Sequence, residues 1–191
     1  EKRRLELENR EYKEHLEEKV SLQAEKIRKS FFNAITSLVY ALEARDKYTS
    51  GHSHRVTQSA VAVALKMGMN GAVVENIRLA GLVHDIGKIG INENVLNKPG
   101  SLTRDEYEHI KRHPEIGSHI LEPIIDNVEI LAIVKHHHER HDGQGYPDGI
   151  ARNDIPVGAR IIAVVDSFDA MTSERPYRSA LPVETALEQL I

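Results

Sequence analysis

The chain has 191 residues, with 25 Lys and Arg against 29 Asp and Glu and a net charge of −4, a length that suits one domain plus an appendage. The two signs are interleaved rather than pooled, which excludes a broad basic footprint for duplex nucleic acid. Cysteine is absent, so disulfides and thiolate chemistry are excluded, any metal must be held by imidazole and carboxylate, and a reducing, cytoplasmic setting is expected. No apolar run approaches the roughly 18 residues of a membrane span, and the charged first thirty residues are unlike a signal peptide. The chain therefore reads as soluble, with no membrane partner. It opens without methionine at Glu1 and stops inside a helical pattern at Ile191, which reads as a fragment, truncated at its C-terminus and controlled by an upstream sensor or receiver domain.

Residues 1–30 are rich in Glu, Lys and Arg, with apolar Leu5, Tyr12, Leu16, Val20 and Ile27. This predicts a long helix with a narrow apolar stripe, either a solvated helix or, as favoured, a two-stranded coiled coil that makes the chain a homodimer. The stripe runs on through Phe31, Ile35, Leu38, Val39 and Leu42 into the first helix of a domain over 31–191. A helix is expected from Ser53 to Gly68, and another from Ala72 through Leu79, Leu82, Val83 and Ile86. Asn92 to Ser101 reads as a loop. Thr103 with Glu106, and Asp126 with Glu129, resemble capping boxes that start helices before Tyr107 and Val128. Glu139 to Gly149 is dense in turn residues and reads as a second loop. Ala159 to Met171 is apolar at helical spacing apart from Asp166 and Asp169, and Pro182 suits the first turn of a last helix. Alternating runs are scarce, so the fold class is all-α, a helical bundle.

Chemistry concentrates where polar groups interrupt apolar helices. In Leu82-Val83-His84-Asp85-Ile86-Gly87-Lys88 an imidazole, a carboxylate and an ammonium break a buried pattern, which is costly unless they are paired or bound to metal. An internal His–Asp pair or an Asp85–Lys88 ion pair is the competing structural reading. His52 precedes a helix, His113 opens one, His136-His137-His138 ends one, and Asp166 interrupts Ile161 to Val165. Facing helices of a bundle build metal sites from such side chains, and imidazole with carboxylate suits iron, manganese, zinc, nickel or cobalt. Asp85 could bridge two ions.

Taken in order, Ala41-Leu42-Glu43-Ala44-Arg45-Asp46, Tyr48 to Ser53, Arg55-Val56, His84 to Lys88, His113 to Gly117, His137-His138-Glu139, Asp142 to Pro147 and Asp166 to Thr172 resemble the motifs of HD-GYP domains, phosphodiesterases of the helical HD superfamily that degrade cyclic di-GMP. The resemblance runs from Ile35 to Ile191. It implies hydrolysis of cyclic di-GMP to linear pGpG or GMP by a metal-activated water, with His52, His84, Asp85, His113, His137, His138 and Asp166 as metal ligands. Asp85 and Lys88 would be catalytic, Lys88 at the scissile phosphate. Tyr146, Asp169, Arg175 and Arg178 would hold the dinucleotide. Some family members carry a glutamate four residues before the first histidine and bind three metals. Tyr48 stands there in this chain, so two divalent ions are expected, iron or manganese first, with Asp46 able to compensate through water. His136 could replace His137. The rival readings are a cyclic di-GMP-responsive binding module with little turnover and a phosphohydrolase for another cyclic dinucleotide.

Overall fold

The computed structural model describes residues 1–45, 51–174 and 179–190. Every element among them is helical. In chain order they are α1 (Lys2–Arg45), α2 (His52–Lys66), α3 (Gly71–Val83), a 3-10 turn (Ile86–Gly90), α4 (Glu93–Leu96), α5 (Arg104–Ile110), α6 (His113–Leu121), α7 (Val128–His136), a second 3-10 turn (Arg152–Asp154), α8 (Val157–Thr172) and α9 (Val183–Leu190). The all-α expectation holds. The chain divides into two units, Glu1–Leu38 and Val39–Ile191.

The first unit is helix alone. Its residues from Glu1 to Ala34 are all exposed, and ion pairs of the i,i+4 kind (Arg4–Glu8, Arg10–Glu14 and Lys13–Glu17) decorate its surface.

In the second unit α2 packs on α3 and α8, while α7 packs on α3, α6 and α8. Between them lie Val56, Ile77, Val83, Ile133, Val134 and Ile162, all sealed from solvent, and burying each such side chain stabilises the fold by roughly 1.5–3 kcal/mol. Local chemistry sets where the helices begin. Two backbone amides at the start of α2, Gly51 N and Ser53 N, donate to the buried Glu43 carboxylate at 2.8 Å each. That fixes His52 as the first residue of the helix. Asn70 caps α3 by accepting from Val73 N, and Thr103 with Glu106 forms the anticipated capping box of α5. The start of α7 is also as anticipated, but its cap is Asn127, whose side chain accepts from Glu129 N, rather than Asp126.

Two expectations change. The segment 92–101 is not all loop, because Asn92 accepts from Asn94 N and starts the single-turn α4. The helix expected to continue through Ile86 ends at Val83, and the chain tightens into the 3-10 turn that carries Lys88. The cause is a long-range contact. Gly87 lies so close to α6 that a Cβ would sit 1.8 Å from the His113 carbonyl oxygen and 2.5 Å from Gly117 N. Only glycine permits that approach, and it brings the Asp85 end of the turn against the first residue of α6.

Candidate metal centre

The polar side chains that interrupt the apolar pattern converge at the helix ends. His52 opens α2, His84 follows α3, His113 opens α6, His137 and His138 follow α7, and Asp166 and Asp169 lie on α8. His52, His84, Asp85, His113 and His137 are buried. Adjacent rings stand 4.1–5.4 Å apart, from His52 to His84 to His137 and on to His113 and His138.

Each of four rings is held by one nitrogen so that the other faces inward. His84 Nδ1 donates to Gly81 O at 2.7 Å, His113 Nδ1 to Ile110 O at 2.8 Å, and His137 Nδ1 to Val134 O at 2.6 Å. These are carbonyls three residues back along the chain, available because each histidine sits at a helix junction. His52 Nδ1 donates to Asp169 Oδ2 at 2.7 Å. With the proton on Nδ1, the Nε2 atoms of His84, His113 and His137 present lone pairs.

Those lone pairs face carboxylate oxygens and one another. His113 Nε2 lies 3.4 Å from His137 Nε2, and the buried His84 Nε2 has no hydrogen-bond partner among the described residues. His113 Nε2 is 3.4 Å from Asp85 Oδ1, whereas His84 Nε2 and His52 Nε2 are 3.5 and 3.7 Å from Asp85 Oδ2. Asp166 Oδ1 lies 3.1 Å from His52 Nε2. Among the described residues two groups therefore have donor atoms close enough to share an ion: Asp85, His113, His137 and His138, and His52, His84 and Asp85. Asp85 belongs to both, one oxygen toward each. Two imidazole lone pairs in contact, and an orphaned buried nitrogen, are unfavourable without a positive charge between them. The donor set fits divalent metal, and it fits it twice.

The electrostatics separate His52 from the other rings. Burial, reinforced by neighbouring imidazoles, holds His137 well below its usual value, and burial likewise lowers His84 and brings His138 down to about 4. These rings stay neutral, the form that binds metal. Burial also opposes the charge on His52, yet the carboxylates of Asp166, Asp169 and Asp85 override it and raise the ring to about 9. For Asp85 burial is again outweighed, here by Lys88, His84 and His113, and its carboxyl is held well below the ordinary range. Lys88 Nζ donates to Asp85 Oδ2 at 2.7 Å. That i,i+3 ion pair is the one anticipated as a structural alternative, and it is made within the 3-10 turn.

Other expected site residues are placed as follows. Tyr146 packs its ring 4.9 Å from His138, at the edge of the cluster. Asp169, expected against the dinucleotide, accepts from His52 Nδ1 and from a two-pronged contact of Arg55 at 2.6 and 2.9 Å. His136 turns away from the histidine cluster toward Glu139 and Asp148. Arg175, Arg178, Tyr48 and Asp46 lie outside the described residues. Two organising carboxylates had been given no role. Glu43 sets the start of α2, and the buried Glu139 accepts from Asp148 N and Gly149 N at 2.7 and 3.0 Å, tying down the loop that holds Tyr146. Gly145 completes that loop, since a Cβ there would lie 2.4 Å from Arg140 N. The available signal was two acids within otherwise apolar or turn-rich motifs.

Residues 37–191 match the HD domain family. The chain belongs to that family. A cyclic di-GMP phosphodiesterase from Thermotoga maritima is 42% identical over 163 residues, covering 83% of this chain and 44% of the relative. The cyclic di-GMP phosphodiesterase response regulator RpfG of Xanthomonas campestris is 40% identical over 177 residues, covering 92% and 47%. The chain thus spans about half the length of these curated relatives. The solved structure of Bd1817, an HDG"Y"P protein from Bdellovibrio bacteriovorus, is 24% identical with a TM-score of 0.63, covering 76% of this chain and 46% of that one. At that identity the likeness speaks for the HD fold alone. Among the described residues no helix is long and apolar enough to cross a membrane.

Proposed function

We propose that this HD domain hydrolyses cyclic di-GMP, opening one phosphodiester to give linear pGpG and cutting again to GMP. The observation that carries the proposal is Asp85, whose two oxygens face two separate histidine groups. In this reading His113, His137 and His138 hold one ion with Asp85, while His52, His84 and Asp166 hold the other with the same carboxylate. Imidazole and carboxylate donors suit iron or manganese first, then zinc, nickel or cobalt. When bound, such ions supply Lewis-acid stabilisation of charge on phosphoryl oxygens and acidify water.

The chain's own groups have distinct tasks. Asp169, itself gripped by Arg55, fixes the ring and tautomer of His52. Lys88 lies beside Asp85 and offsets negative charge building on the scissile phosphate. Tyr146, braced against His138, offers a ring on which a guanine can stack, and Arg175 and Arg178 supply guanidinium groups for phosphate or guanine edges. The enzyme acts in the cytoplasm as a homodimer through α1, under an upstream sensor or receiver domain. The two cyclic di-GMP phosphodiesterases similar to it support the substrate assignment.

The test is incubation of manganese- or iron-loaded chain with cyclic di-GMP, followed by product chromatography, beside the other cyclic dinucleotides. Linear pGpG and GMP, formed fastest from cyclic di-GMP, are the expected products. Nucleotide bound and returned intact would make the chain a binding module instead, and a faster rate on another cyclic dinucleotide would reassign the substrate.

A further inference from the structure

The last turn of α5 carries two loads. Ile110 O accepts from His113 Nδ1 at 2.8 Å, so the backbone of this turn is fixed against a proposed ligand of the metal centre. One residue on, Lys111 N donates to Tyr107 O at 3.0 Å, and the two side chains stand one helical turn apart on the same face. There the Lys111 ammonium lies over the Tyr107 ring, 4.9 Å from its centroid, and over the Tyr146 ring at 5.8 Å. At both distances an aromatic face attracts a cation. Tyr146 in turn packs on His138, whose ring is 5.0 Å from that of His113. The ammonium therefore stands at the edge of the site, on the side of the His113, His137 and His138 group.

The fold itself makes little use of this cation. Lys98 Nζ donates to both oxygens of Glu106, which closes the capping box of α5, and Lys135 Nζ reaches across to Asp148 of the Tyr146 loop. The carboxylate partner of Lys111 among the described residues is Glu108, in its own helix at 2.8 Å, with 56% of that side chain exposed. Such a screened pair contributes little, and it yields to a phosphate, which offers full charge and several acceptor oxygens. The Lys111 side chain is 28% exposed, so its attraction for an anion is screened less than in open water.

Lys88 stands on the other side of Asp85. Its Nζ donates to Oδ2, the oxygen that faces His84 and His52, whereas Lys111 stands by the group that takes Oδ1. A cyclic dinucleotide carries two phosphodiesters across one ring, and water attacks one of them at a time. We propose that Lys111, framed by Tyr107 and Tyr146, binds the phosphodiester that is not being cut. This rests on the hydrolysis reading above and adds the group that makes the site prefer a substrate with two phosphates.

Lys111→Ala and Lys111→Arg are compared with the parent as manganese-loaded full chains. The substrates are cyclic di-GMP and bis(p-nitrophenyl) phosphate, which has one phosphodiester and no second phosphate. Losing a charge-assisted hydrogen bond should raise the KM of Lys111→Ala for cyclic di-GMP about tenfold or more, with kcat and bound metal changed by less than about twofold. The ratio of kcat/KM on cyclic di-GMP to that on bis(p-nitrophenyl) phosphate should fall by the same factor, and Lys111→Arg should recover most of it. An unchanged KM would overturn the proposal. So would an equal loss on both substrates, which would mean that Lys111 only props the Tyr146 loop. If the parent returns cyclic di-GMP uncut, the hydrolysis reading fails and Lys111 is judged by equilibrium dialysis. There Lys111→Ala should lose about tenfold in affinity for cyclic di-GMP and far less for GMP. Equal affinity for cyclic di-GMP in parent and variant would overturn the proposal, and a parent that does not bind it would overturn both readings.

Discussion

The exposed helix at the start of the chain and the histidine cluster of the HD domain use the same side-chain types under opposite conditions. On α1, Arg4, Glu8, Lys13 and Glu17 form ion pairs whose side chains are 58–83% exposed. Around Asp85 the partners are almost sealed, with side chains 1–10% exposed at His84, His113, His52 and Asp85 itself. Water screens the first set, so its geometry is loose and its energetic weight small. Removing water from the second makes every unmatched lone pair expensive. The cluster tolerates this through backbone carbonyls that hold Nδ1 of His84, His113 and His137, the Asp169 carboxylate that holds His52, and a donor arrangement that calls for cations.

The predictions follow from that contrast, from the largest effect down. Asp85→Asn removes the carboxylate shared by both groups, and phosphodiesterase turnover should fall by about a thousandfold or more, measured as pGpG release. A variant retaining a tenth of the parent rate would deny Asp85 its shared role. Gly87→Ala forces a methyl into the His113 carbonyl and should lower unfolding free energy by about 3 kcal/mol, read from urea denaturation, together with metal retention. Asp169→Asn keeps the shape but weakens the grip on His52, and metal affinity should drop by about 10–100-fold, read by competition with a chelating dye. If affinity stays put while the KM for cyclic di-GMP rises, Asp169 contacts substrate after all. Arg4→Ala, at the solvated end, should change stability by less than about 0.5 kcal/mol.

The fold class and the starts of α5 and α7 were readable in the sequence, because periodicity and capping are local, and the polar residues that interrupt apolar helices marked the imidazole and carboxylate groups. The sequence did not reveal why His84 and Asp85 lie at a junction. That depends on Gly87 meeting α6, a contact between residues far apart in the chain. Glu43 and Glu139 were likewise visible only as acids within motifs. Their work is to accept backbone amides eight to ten residues away, which no periodic pattern encodes. The resemblance gives Asp169 to the dinucleotide. Only the fold shows that His52 and Arg55 already claim its oxygens.

Elemental analysis of chain loaded with manganese or iron and freed of excess ion tests the central claim most directly. Two ions per chain are expected in the parent, fewer in His138→Ala and in His84→Ala, and none in Asp85→Ala that still shows the parent's helical circular dichroism. A parent that retains no metal, or an Asp85→Ala chain that still holds two ions, would contradict a centre built around one shared carboxylate.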